Sequence, residues 1–267
     1  MSKNKQSLLW EVTKSPSSPV SYLFGTMHIK DQRAFRLQQM VYQKIIACEA
    51  FATEFNLDDA NPAGAIHFTQ LPPGQRLSDF YSPRQYAKME RMLFKAFGLQ
   101  LSLFQGFQPM LLANFISEKI LSNDMPFSLD EHLFRFAKAQ QKEIKGIETY
   151  EEQMAIFHKI PFDYQLKALL WMSKHVSRHR KQLLQMTAVY EKGDLRQIYQ
   201  STKKNAGGLR KMLLFNRNQI MAERIRPIME EQSLFAAIGA GHLGGQKGVL
   251  RLLKAYGFRL KPIFPEY

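Results

Sequence analysis

Two Gly-x-x-His segments frame the chain, Gly25-Thr26-Met27-His28 near its start and Gly239-Ala240-Gly241-His242 near its end. Each follows a short apolar run with the character of a buried strand, Val20 to Phe24 and Leu234 to Ile238, and each precedes a helical pattern. Alternation of strand and helix is the mark of an α/β fold. A histidine just past the carboxyl end of a strand points into the crevice where open α/β sheets bind ligands. Two of them, from distant parts of the chain, predict one composite site holding a metal ion.

The first 56 residues read as a βαβ unit. Asp31 can cap a helix whose apolar residues Leu37, Val41 and Ile45 recur at helical spacing. A second strand follows from about Phe51 to Asn56, with Phe51, Thr53 and Phe55 on one face and Ala52, Glu54 and Asn56 on the other. Such a crossover makes the two strands parallel, so His28 and Glu54 are expected to converge at one sheet edge. Residues 57–82, with Asp58, Asp59, Pro62, Gly64, Pro72, Pro73 and Gly74, read as a long loop and candidate lid. Helical pattern resumes from Pro83 to about Ser122, and the Ser128/Glu131 spacing predicts a capping box opening a helix to about Gln141.

Glu143 to Ile147 reads as a third strand delivering Glu148, and Asp163 to Glu231 as helices broken near Gly193 and Gly207-Gly208. A final strand, helix (about Gln246 to Tyr256) and strand (Phe258 to Phe264) form a closing βαβ unit, with Gly257 as the helix stop. The predicted architecture is therefore one domain over residues 1–267. Its mixed or mostly parallel central sheet comes from the N- and C-terminal βαβ units, with a mostly helical insertion at about 83–231.

With 267 residues and 45% apolar side chains, the chain can bury such a core. The 37 Lys and Arg against 23 Asp and Glu give a net charge of +14, which favours anionic partners without defining a fold. The single cysteine, Cys48, excludes an internal disulfide and a multi-cysteine zinc site, and reads as a small buried apolar residue on a helix. Met1 to Gln6 is polar and basic, and the apolar residues after it, Leu8, Leu9, Trp10 and Val12, are scattered. With neither a signal-peptide core nor a bilayer-length apolar run, the expectation is a soluble cytoplasmic protein.

The chemistry follows from the strand ends. His28, Glu54 and His242 would supply two nitrogens and a carboxylate to a divalent ion such as manganese, cobalt or zinc, with a position open to water. Glu148 is either a further ligand or the base that takes a proton from that water. Arg217, followed by Asn218 on the last long helix before the second motif, is the candidate to stabilise an oxyanion.

Two other motifs compete. Gly239-Ala240-Gly241-His242-Leu243-Gly244 fits the dinucleotide fingerprint, but the acidic residue it requires could only be Glu266, and His242 would sit where pyrophosphate needs the bare backbone. His175 and His179 share a helical face without the intervening carboxylate of zinc proteases, among Lys174, Arg178, Arg180 and Lys181, and read as a basic solvated face. No nucleic-acid-binding module accompanies that charge, so no specific nucleic acid is predicted.

These residues resemble the TraB/GumN family, which includes the Tiki metalloproteases and the pheromone-shutdown proteins. The matching stretches are Tyr22-Leu23-Phe24-Gly25-Thr26-Met27-His28, Glu54, Leu129-Asp130, and Gly146-Ile147-Glu148-Thr149 with Gln153. They continue through Arg217-Asn218 to Gly239-Ala240-Gly241-His242-Leu243 and Gly257, in the family's order over nearly the whole chain. The resemblance implies an α/β fold related to erythromycin-esterase-like and ChaN-like structures, and divalent-metal-dependent hydrolysis, with peptide cleavage known for the Tiki branch. It makes His28 and His242 the paired motif histidines and places Glu54, Glu148 and Arg217 at the family's polar positions. The expected function is a metal-dependent hydrolase acting on a peptide or small-molecule substrate. The alternative is a peptide- or ligand-binding protein that keeps the pocket without turnover.

Overall fold

A computed structural model describes residues 7–59, 69–121 and 123–265. Among these, six strands form one mixed sheet: β1 Leu9–Thr13, β2 Ser21–Thr26, β3 Ala50–Thr53, β4 Glu143–Gly146, β5 Leu234–Gly239 and β6 Arg259–Ile263. Their spatial order is β4-β3-β5-β2-β1-β6. β5 pairs parallel with both β2 and β3, and β4 pairs parallel with β3, so four carboxyl ends share one edge. Every residue of β2 and β3, and of β5 up to Ile238, is buried, which is why these strands are apolar runs. The alternation expected over Phe51–Asn56 is absent for the same reason: the strand ends at Thr53 and is covered on both faces.

Two topological expectations change. β2 and β3 are parallel, as predicted, but β5 lies between them, so their ends stand roughly 10 Å apart, twice the spacing of neighbouring strands. β6 runs in the direction of β5 without pairing to it. It adds antiparallel to β1, which is itself antiparallel to β2. β1 is the segment whose apolar residues read as scattered. Leu9 and Val12 are buried, while Trp10, Glu11 and Thr13 are partly covered.

The chain forms two compact units. The sheet unit comprises Met1–Asp59, Asn123–Glu152 and Met186–Tyr267; the second comprises Ala60–Ser122 and Gln153–Gln185. The helical stretch expected at about 83–231 is thus shared between them. In the sheet unit, fully buried Phe235 lies between Phe24 and Phe51, with ring centroids 6.4 and 5.9 Å away. The helix Leu129–Ala139 starts at Ser128, but the capping box is not made: the Ser128 hydroxyl is buried without a hydrogen-bond partner. Asp130 and Glu131 in the first turn complement the helix dipole. Cys48 is buried just beyond the helix Gln38–Ile46 rather than on it, and burial pushes its thiol up to about 12.

The second unit has its own core, in which Leu93, Leu101, Leu112, Ile116 and Leu169 are fully buried. Ser82 and Gln85 form a capping box for the helix Pro83–Phe97, and Gly98 ends it at φ 64°. The helical pattern resumes at Pro109–Ile120. His175 is exposed, as expected for a solvated face. His179 is not: its Nε2 hydrogen-bonds Ser117 Oγ at 2.9 Å, and burial lowers its pKa. Of the candidate lid, residues 60–68 lie outside the described residues, as does Glu266; Leu57–Asp59 and Leu77–Phe80 are short 3-10 turns. No helix among the described residues is long and apolar enough to cross a membrane.

Candidate active site

The shared carboxyl edge delivers Glu54 after β3, Glu148 after β4 and His242 after β5. Backbone bonds lock the first two ends together, with Ile147 N donating to Thr53 O at 3.0 Å and Glu148 N to Glu54 O at 2.6 Å. Gly146 is required here, because a Cβ would stand 2.8 Å from Asn56 N. The two histidine motifs also touch through a glycine. A Cβ on Gly25 would meet Leu243 Cδ1 at 2.7 Å and Ala240 Cα at 3.0 Å. Tyr190 anchors the same turn, its hydroxyl donating to Gly25 O at 2.7 Å.

Arg217 enters from the first position of the helix Arg217–Glu231, directly after a π-helical turn at Lys211–Asn216. Its Nε donates to Glu148 Oε1 at 2.9 Å, and its Nη2 donates both to Glu54 Oε2 at 2.6 Å and to Glu148 Oε2. One guanidinium thus bridges the two carboxylates. Glu54 Oε1 accepts from Gly239 N at 2.8 Å and faces His242 Nε2 at 3.9 Å. Burial opposes the Glu54 charge, but His242, Arg217 and the Gly239 N–H together outweigh it and hold the carboxyl at about 2.

His242 is fixed by Asn218, which is fully buried. Asn218 Nδ2 donates to Lys247 O at 2.6 Å, so its Oδ1 is the acceptor for His242 Nδ1–H, also at 2.6 Å. That tautomer leaves Nε2 as a lone pair directed at the cluster, with Arg217 Nη1 at 3.4 Å. Burial lowers the His242 pKa, against the opposing pull of Glu54, and so favours the neutral ring near neutral pH, its charge bearing on Glu54 in acid. Two carboxylates and one guanidinium then leave a formal excess of one negative charge, which suits a cation.

His28 is 69% exposed, and its Nδ1 faces Asp130 Oδ2 at 3.5 Å. Asp130 accepts from Thr26 Oγ1 through Oδ1, while its buried Oδ2 has no hydrogen-bond partner. The structure therefore brings together Glu54, Glu148, Arg217 and His242, and sets His28 against Asp130. Among the described residues no three His, Cys, Asp or Glu side chains are grouped closely enough to hold an ion as placed. The donor chemistry nevertheless fits one: a fixed imidazole lone pair beside a strongly acidic carboxylate, and a second histidine backed by a carboxylate. Sequence reasoning missed Asn218 and Asp130 as functional partners. The only signals were their positions beside Arg217 and within the Leu129-Asp130 motif.

A lowered His242 pKa makes stability pH-dependent. Below the ordinary histidine value of 6.5 the unfolded chain takes up a proton that the folded ring resists, so stability declines as pH falls from there. Glu54 acts lower: its contribution is complete above 4.5 and is lost as pH falls through about 2. His132 and His179 also have lowered pKa values, so the expected result is a difference. Urea unfolding between about pH 7.5 and pH 5 should show a shallower loss in His242→Gln than in wild type. Parallel curves would show that the folded ring protonates freely.

A mixed sheet packed with helices, with a charged, partly buried cluster at its shared carboxyl edge, defines an α/β protein. A family model described as the TraB/PrgY/gumN family matches residues 8–262, and the chain belongs to that family. Among its relatives, Metalloprotease TIKI2 of Danio rerio is 25% identical over 327 residues, covering 99% of this chain and 62% of the relative. Metalloprotease TIKI1 of Danio rerio is 23% identical over 312 residues, covering 96% and 63%. Metalloprotease TIKI1 of Homo sapiens is 23% identical over 314 residues, covering 96% and 61%. The chain thus spans just over three-fifths of the length of these relatives. No solved structure matches it.

Proposed function

We propose that this chain is a metal-dependent hydrolase that cleaves peptide bonds, with its ion between the two Gly-x-x-His segments. The observation that carries the reading is the fixed His242 tautomer, whose Nε2 lone pair faces the ionised Glu54 carboxylate at 3.9 Å. The names of the relatives support a metal and a peptide substrate. His242 and Glu54 would hold the ion, and His28, with Asp130 behind its Nδ1, is the third donor. When bound, a divalent ion lowers the pKa of a coordinated water and polarises a carbonyl.

The protein's own groups divide the remaining work. Glu54 stays ionised near neutral pH, which makes it a good oxygen donor and a poor proton acceptor. Glu148 has both oxygens bonded to Arg217, so it positions the guanidinium. Arg217 Nη1, the nitrogen nearest His242, is placed to donate to an oxyanion. A peptide-cleavage screen on chelated protein, repeated after adding manganese, cobalt or zinc, tests this. Cleavage restored by metal and absent in Glu54→Gln is expected. Cleavage unaffected by chelation, or no cleavage of any peptide by the fully metal-loaded chain, would leave a binding protein without turnover.

A further inference from the structure

On the sheet unit, two contiguous cavities of about 900 and 610 Å³ share Tyr199, Lys203, Gly245, Gln246 and Arg251. Neither is lined by Glu54, Glu148, Arg217 or His242. Seven cationic side chains line the joined groove: Arg196, Lys203, Arg210, Lys247, Arg251, Lys254 and Arg259. All seven are exposed, and no Asp or Glu lines the groove among the described residues. Between the charges lie the apolar residues Trp10, Leu250, Leu260 and Phe258. A concave surface of one sign focuses its field on an incoming anion.

The aromatic rings determine which anion fits. Single-stranded nucleic acid binds by stacking bases on open aromatic faces. Here Lys203 Nζ sits over Tyr199 at 5.8 Å, Lys247 Nζ over Phe215 at 4.9 Å and Lys14 Nζ over Phe258 at 5.6 Å. Tyr199 also packs against the backbone of Gly245, where a Cβ would fall 2.2 Å from the ring. Cations and backbone therefore occupy the faces of Tyr199, Phe215 and Phe258, leaving Trp10 and aliphatic surface between the charges.

We propose that this groove binds an acidic peptide segment, its carboxylates meeting the lining cations and its apolar side chains filling the spaces beside Leu250 and Leu260. The site does not depend on turnover at the Glu54 cluster, so the two readings can fail separately. The test is fluorescence anisotropy of a labelled peptide alternating Asp or Glu with Leu. Its Asn/Gln counterpart and a single-stranded oligonucleotide of equal charge serve as comparators. The acidic peptide should bind, weakening with added salt, and the amide counterpart should bind at least tenfold more weakly. Lys203→Glu with Arg251→Glu should reduce acidic-peptide binding at least tenfold. If the charge-reversed protein fails to fold, Lys203→Gln with Arg251→Gln should show the same direction of loss. Unchanged peptide binding in a folded groove variant would overturn the proposal, as would tighter binding of the oligonucleotide through the same residues.

Discussion

Arg217→Met should destabilise the protein by about 3–5 kcal/mol, because it strips a buried ionic cluster of the guanidinium that bridges its two carboxylates. The Glu148 side chain is 2% exposed and Arg217 15%, so solvent cannot replace the lost bonds. Methionine keeps much of the arginine volume, and the loss will therefore reflect charge more than a cavity. Two consequences separate this account from ordinary packing damage. Acidification should recover part of the stability as the stranded carboxylates take up protons. Adding Glu54→Gln and Glu148→Gln should rescue the variant, since it is the unpartnered charges that are costly. Urea unfolding of the single and triple variants reads both. A loss below about 1 kcal/mol would mean that the cluster is solvated like a surface ion pair.

Phe235→Ala should cost about 3–5 kcal/mol, the usual range for emptying a buried aromatic site. Phe235 is fully buried on β5, pairs with Tyr22 and Phe51 across neighbouring strands, and packs against the rings of Phe24 and Phe51. β5 also carries Gly239, whose N–H holds Glu54, and leads into His242. Packing loss should therefore loosen the cluster as well as the core. Denaturant unfolding gives the magnitude, and hydrogen exchange at the Gly239 amide shows the local effect. A loss of less than about 1.5 kcal/mol would mean that the surrounding strands close over the space.

What the sequence made legible were the features written locally. Apolar runs ending in glycine located β2 and β5, and chain order placed Glu54 and Glu148 at strand ends. Gly193, Gly207 and Gly257, read as helix breaks or stops, all have positive φ, the conformation for which glycine is suited. Non-local pairing was not legible. Nothing in residues 20–56 announces that a strand from residue 234 will lie between β2 and β3 and separate His28 from Glu54. β1 escaped notice because only two of its five residues are fully covered. Ser128 has the right residue type for a cap but not the hydrogen bond. Asn218 could not be distinguished from a surface amide until Lys247 O and His242 Nδ1 were found on either side of it.

On the proposed reading, His242 and Glu54 would belong to one metal site. The most direct measurement is metal content by elemental analysis of the gently purified chain, alone and after incubation with manganese, cobalt or zinc. Wild type and His242→Ala should be compared at matched folded fraction. About one ion per wild-type chain, lost in His242→Ala, is the expected result. Equal metal in both proteins, or none in wild type under any of these conditions, would contradict it.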